Sequence, residues 1–72
     1  MDVIDRLNHR MNLLKKLGVK IRFENLQGVS SGLCKIGGQK VLMVEVSLPS
    51  TEQLGIFDET ITMVQQRQNA AA

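Results

Sequence analysis

Gly32-Leu33-Cys34-Lys35-Ile36-Gly37-Gly38-Gln39-Lys40-Val41-Leu42-Met43-Val44-Glu45-Val46 is the stretch whose reading decides the fold. Two β-prone runs meet at Gly37-Gly38, and both glycines can take the positive φ that a two-residue type I′ turn demands. That turn sets a register in which Ile36 faces Gln39, Lys35 faces Lys40, Cys34 faces Val41 and Leu33 faces Leu42. The two-residue pleat then sorts the side chains onto two faces. One carries Leu33, Leu42, Val44 and Val46, with Lys35 and Lys40 at the tip; the other carries Cys34, Ile36, Val41 and Met43 and ends at Glu45. Lys35 opposite Lys40 is a like-charge pair, tolerable only if the tip stands in water. Both faces are apolar, whereas an antiparallel sheet with one wet side alternates apolar and polar residues.

Upstream of the hairpin, Asp2 is placed to cap a helix with Asp5 in its first turn, where the helix dipole favours negative charge. Ile4, Leu7, Met11 and Leu14 recur at helical spacing, with Val3, Leu13 and Leu17 widening the stripe. Lys15 and Lys16 fall in the last turn and Gly18 offers a left-handed stop. Val19-Lys20-Ile21-Arg22-Phe23 alternates apolar and basic, which predicts a half-buried strand with Val19, Ile21 and Phe23 facing inward. The aperiodic run Glu24-Asn25-Leu26-Gln27-Gly28-Val29-Ser30-Ser31 predicts a loop, longer than an ordinary hairpin connection, that turns or crosses the sheet.

Downstream, Pro49 ends the strand and Ser50 with Gln53 has capping-box spacing. Leu54, Phe57, Ile61 and Val64 then mark the buried face of a second helix, with Ile56 and Met63 beside them. Gly55 inside that helix costs about 1 kcal/mol against alanine, which suggests a close approach to the sheet or the first helix. Thr60 and Thr62 lower its propensity further, so packing must hold it. The polar run from Gln65 is expected to fray. The fold class expected is therefore α+β, ordered α-β-β-β-α. Its sheet is three-stranded and mainly antiparallel, and both helices cover the Leu33/Leu42/Val44/Val46 face together with Val19, Ile21 and Phe23.

A chain of 72 residues makes one domain, read as residues 1–66 with a frayed tail over 67–72. So short a chain buries only about 60% of its unfolded surface, and small domains usually add disulfides, a metal or a partner subunit. Cys34 is the only cysteine, so no internal disulfide can form, and an unpaired thiol suits a reducing cytoplasm. Cys34 and His9 together fall short of the ligands a structural zinc wants, and no cofactor is expected. An apolar fraction of 43% argues for a folded domain. No apolar run approaches the roughly 20 residues of a membrane span, and acids stand near the N-terminus where a signal peptide would carry bases.

The net charge of +2 hides an asymmetry. Residues 1–40 carry eight bases against three acids, whereas residues 41–72 carry Arg67 against Glu45, Glu52, Asp58 and Glu59. The split either marks an anionic partner or lets the two halves, or two subunits, attract each other. The anionic-partner reading would place nucleic acid on Arg6, Arg10, Lys15 and Lys16, since phosphate neutralisation needs bases clustered on one surface. Single-strand binders add stacking aromatics, yet Phe23 and Phe57, the only aromatic side chains, both read as core.

Catalytic material is sparse. His9 lies beside Arg10 and off the Leu7/Met11 stripe, as a solvated histidine does. Cys34 reads as a small buried hydrophobe in a strand, with Lys35 pointing to the opposite face, so no neighbouring cation activates it. Asp58 and Glu59 sit about 100° apart on a helix and do not converge on one substrate. Gly37-Gly38 closes a hairpin and is not the phosphate-cradling turn between a strand and a helix. No enzyme activity is expected.

A glycine-containing hairpin ending in an apolar strand, then Leu48-Pro49 and a helix bearing Gln53, resembles the region before the catalytic helix of the ImmA/IrrE type of zinc metallopeptidase, over residues 32–63. In that family the helix carries His-Glu-x-x-His, two zinc ligands one turn apart with the glutamate as base. The corresponding stretch here is Phe57-Asp58-Glu59-Thr60-Ile61-Thr62-Met63, without histidine. The resemblance thus implies a non-catalytic relative, and no family site residue carries over.

With both helices spent on one face, Cys34, Ile36, Val41 and Met43 lack a cover within the chain. Burying such side chains gains roughly 1.5–3 kcal/mol each. The expectation is a cytoplasmic protein-interaction module, most simply a homodimer or the complex with a protein partner, that packs this face.

Overall fold

The computed structural model describes the backbone of residues 2–70 and the side chains of residues 2–66. Asp2 starts the fold as read: its carboxylate accepts the Asp5 N–H at 2.9 Å and its carbonyl takes the Arg6 N–H, opening helix α1 (Val3–Lys16). The helix ends where Leu17 donates to the carbonyls of Leu13 and Leu14 and Gly18 turns to φ +83°. Strand β1 (Val19–Glu24) follows at once. The chain then loops over residues 25–31, returns as β2 (Gly32–Ile36), turns at Gly37 (φ +58°) and Gly38 (φ +82°), and runs through β3 (Gln39–Glu45) into helix α2 (Ser50–Ala70).

The hairpin has the expected register, Leu33 to Leu42, Cys34 to Val41, Lys35 to Lys40 and Ile36 to Gln39. The sheet as a whole is mixed, which corrects the expectation of a mainly antiparallel one. Its order is β1-β3-β2, with β1 parallel to β3 and pairing Val19 with Lys40 through to Glu24 with Glu45. The physical reason lies in β3, the most apolar strand, which gains by having neighbours on both sides. The 25–31 loop carries the chain past the end of β3, so β2 descends on the far side and the hairpin brings β3 up between them.

Both helices lie on one side of this sheet. The core joins Leu7 and Leu14 of α1, Val19, Leu42 and Val44 of the sheet, and Phe57, Ile61 and Val64 of α2, with Met11, Ile21, Leu33 and Leu54 packed against it. The Cα envelope is only 14 Å in its shortest dimension, room for one sheet and one layer of helices. The stripes read from the sequence are therefore the buried ones, except at their ends. Ile4 is 56% exposed, and Val46, past the last residue of β3, is 57% exposed. Phe23, on an edge strand, is 43% exposed although its ring meets that of Phe57 edge-on with centroids 6.4 Å apart.

The start and interior of α2 differ from the reading in two places. No capping box forms: the Gln53 N–H bonds to the Pro49 carbonyl, and the Gln53 amide reaches back to the Leu48 carbonyl at 3.0 Å. Pro49 takes the cap position, leaving Ser50 already inside the helix. Gly55 marks no close approach, since a Cβ built there would meet nothing within 4 Å. The threonines satisfy their hydroxyls within the helix, Thr60 on the Ile56 carbonyl and Thr62 on that of Asp58. The polar run from Gln65, expected to fray, continues as helix to Ala70; the side chains of residues 67–72 and the backbone of 71–72 lie outside the described residues.

Candidate functional site

The sheet face away from the helices holds Cys34, Ile36, Val41 and Met43, as the hairpin register requires, and β1 adds Lys20, Arg22 and Glu24 to the same side. Their exposure is unequal. Ile36 is 53% exposed and Cys34 is exposed, Met43 is half-buried, and Val41 is only 4% exposed. Val41 lies on the central strand between Lys20 and Cys34. Cys34 is thus not the buried hydrophobe its strand position suggested. It sits on an edge strand, where the sheet shields it from one side, and its thiol donates to the Val41 carbonyl at 3.5 Å.

Of the four bases singled out for nucleic acid, Arg6, Arg10, Lys15 and Lys16, one is engaged within the chain. Arg10 is turned onto α2, its Nε donating to Asp58 Oδ1 at 2.7 Å, and it also lies 3.1 Å from His9 Nδ1. This pair joins the basic half of the chain to the acidic half. Arg6, Lys15 and Lys16 are exposed. Lys15 lines a groove of about 630 Å³ between α1 and the free edge of β1, together with Met11, Val19, Lys20, Ile21 and Phe23. The acids gather elsewhere: Glu45, Glu52 and Glu59 line a shallow depression under the Gly28–Ser31 loop segment.

Glu45 is the polar residue that the sequence reading passed over as a strand end. Its Oε1 accepts the Leu26 N–H at 2.8 Å and its Oε2 the Ser47 N–H at 2.9 Å, while its own N–H donates to Ser31 Oγ at 3.0 Å. The loop after β1 and the turn after β3 are thereby tied to one carboxylate. Those N–H groups, Ser47 foremost and then Leu26, hold the Glu45 carboxyl below its ordinary value. One available signal was positional: an acid ending a buried strand beside a loop rich in unpaired N–H groups.

Among the described residues no three His, Cys, Asp or Glu side chains come together as a metal site. Asp58 and Glu59 occupy successive positions on α2, with Asp58 engaged by Arg10. Among the described residues no helix is long and apolar enough to cross a membrane. Compared with protein families, with curated proteins and with solved structures, the chain finds no match in any of the three. The likeness of residues 32–63 to the ImmA/IrrE peptidases therefore stands on the sequence pattern alone.

Proposed function

We propose that this chain is a non-enzymatic protein–protein interaction module that self-associates by packing the helix-free face of its sheet against the same face of a second copy. The observation that carries the reading is the placement of both helices on the Leu42/Val44 side, which leaves Ile36, Cys34 and Met43 without a covering element. Two sheets pack face to face about 10 Å apart, so a two-fold pairing would bury these side chains and leave Lys20 and Arg22 at the rim. A cytoplasmic location goes with this reading, supported by the single unpaired cysteine. The alternative, nucleic-acid binding through Arg6, Arg10, Lys15 and Lys16, draws less support because Arg10 is engaged with Asp58.

Sedimentation at tens of micromolar tests the proposal, with Ile36→Asp as the informative variant. Ile36 is 53% exposed, so the substitution leaves the core intact and places a charge among the apolar residues of the pairing face, at the hairpin end of edge strand β2. A dimer for the parent chain and a folded monomer for Ile36→Asp are expected; a monomeric parent chain overturns the reading. Val41→Glu is a poorer choice, because Val41 is buried within the subunit and its loss would destabilise monomer and dimer alike.

A further inference from the structure

We propose that the free edge of β1, with the groove beside it, takes an extended acidic segment of a partner protein as an added strand. The main chain supplies the first part of the argument. Val46 donates its N–H to the Glu24 carbonyl at 3.0 Å, so Glu24 turns its main-chain groups toward β3. Alternation along a parallel ladder makes Arg22 and Lys20 do the same and sends those of Ile21 and Phe23 outward. An edge with donors and acceptors at strand spacing is what strand addition uses.

The groove supplies the second part. Met11 on α1 and Ile21 and Phe23 on β1 give it an apolar wall, with Phe23 43% exposed. Every other side chain of an added strand would turn toward this wall. Charge selects the occupant. Lys15 and Lys20 line the groove without a carboxylate among its lining residues, Lys16 and Arg22 are close in sequence, and Glu24 is already held by Arg22 at 2.8 Å. An acidic strand that turns its apolar residues to this wall sets its carboxylates on the Lys20 side of the edge and offers both N–H and C=O to it. A phosphodiester backbone offers acceptors only and would face the outward carbonyls of Ile21 and Phe23. A second copy pairing antiparallel about Ile21 would set Lys20 against Arg22, a like-charge pair. Lys20 belongs both to this edge and to the rim of the helix-free face, whereas Ile36 belongs to that face alone, so Ile36→Asp tests self-association without touching this site.

The test is fluorescence anisotropy with a labelled peptide of alternating valine and glutamate, as long as the six residues of β1. It is run beside a valine–lysine peptide and a version N-methylated at alternate residues. The valine–glutamate peptide should bind, more weakly at about 0.5 M than at about 0.05 M salt. The double variant Lys15→Glu/Lys20→Glu should weaken it about tenfold, from a few-fold per exposed pair. Lys35→Glu, the same kind of charge change on the other edge strand, should alter it less than about twofold. All three lysines are exposed, and circular dichroism verifies that the variants fold. Absence of binding, equal binding of the lysine or N-methylated peptide, or equal weakening by Lys35→Glu overturns the proposal. Displacement of the peptide by single-stranded DNA on the same lysines, or its exclusion by a dimer sealed through β1, overturns it equally and assigns the edge to nucleic acid or to a second copy.

Discussion

Leu42 and Val44 point from β3 into the layer of helices and are fully buried, whereas Met43, between them in sequence, points the other way and is half-buried. Across the hairpin, Leu33 packs on the core while Ile36 stands 53% exposed on the opposite side. Within the hairpin, composition does not distinguish these faces; β1 does, with Val19, Ile21 and Phe23 on the covered side and Lys20, Arg22 and Glu24 on the other. What separates them is topology: two short connections bring both helices to one side, and the single pair of helices is used up there. An apolar face can therefore be built by the same strand that builds the core and still be left for something outside the subunit.

The largest effect expected from probing this contrast falls on the covered face. Leu42→Ala removes a fully buried core side chain from the strand flanked by β1 and β2, which costs about 2–5 kcal/mol in comparable cores. A chain of this size holds roughly 4–10 kcal/mol in total, so urea denaturation should show the midpoint lowered by a large fraction, or no folded state at all. Ile36→Ala on the other face should move the midpoint of the monomer by less than about 0.5 kcal/mol, as exposed substitutions do. Comparable losses at the two positions would mean that the faces are equally packed within one subunit.

How far this contrast was legible in the sequence follows from which interactions are local. The turn at Gly37-Gly38 binds its own neighbours, so the whole hairpin register and both side-chain faces could be read from it, and the stripes around Leu14 and Phe57 named the covering helices. The place of β1 could not be read that way. Its partner is chosen by the path of the 25–31 loop around the end of β3, and the alternation of Val19, Ile21 and Phe23 is the same in a parallel or an antiparallel pairing. For the candidate site, the register identified Cys34, Ile36, Val41 and Met43 as a face, while their unequal exposure depends on central or edge position in the sheet. The roles of Glu45 and Arg10 rest on contacts with residues distant in sequence, and no periodicity announces them.

A second probe addresses the loop that lets β1 lie beside β3. The Glu45 carboxylate accepts the Leu26 N–H at the start of that crossing and the Ser47 N–H in the turn after β3, and it is held below its ordinary value of 4.5. Between the lowered value in the fold and the ordinary value in the unfolded chain, the unfolded state binds more protons. Stability from this group is thus present above pH 4.5 and is lost as the pH falls through the folded value. Glu45→Gln should flatten that part of the acid-unfolding profile when thermal midpoints are compared from neutral to acid pH. If the variant keeps the parent slope, the carboxylate is not what fastens the crossing.

The smallest effect concerns how the helix layer is held on its face. Leu7, Leu14, Phe57 and Ile61 meet in the core, and Arg10 bonds to Asp58 at 2.7 Å at its margin, with side chains 31% and 56% exposed. A pair so open to water is screened, and measured couplings for such pairs run about 0.2–1 kcal/mol. A double-mutant cycle with Arg10→Ala and Asp58→Ala should return a coupling in that range, falling as salt is raised. Asp58→Ala also releases Arg10 toward Arg6, which lies one turn away on the same helix. If the nucleic-acid alternative held, that release would strengthen binding to single-stranded DNA at low salt. The self-association reading expects no binding before or after it, because its face lies on the other side of the sheet from α1.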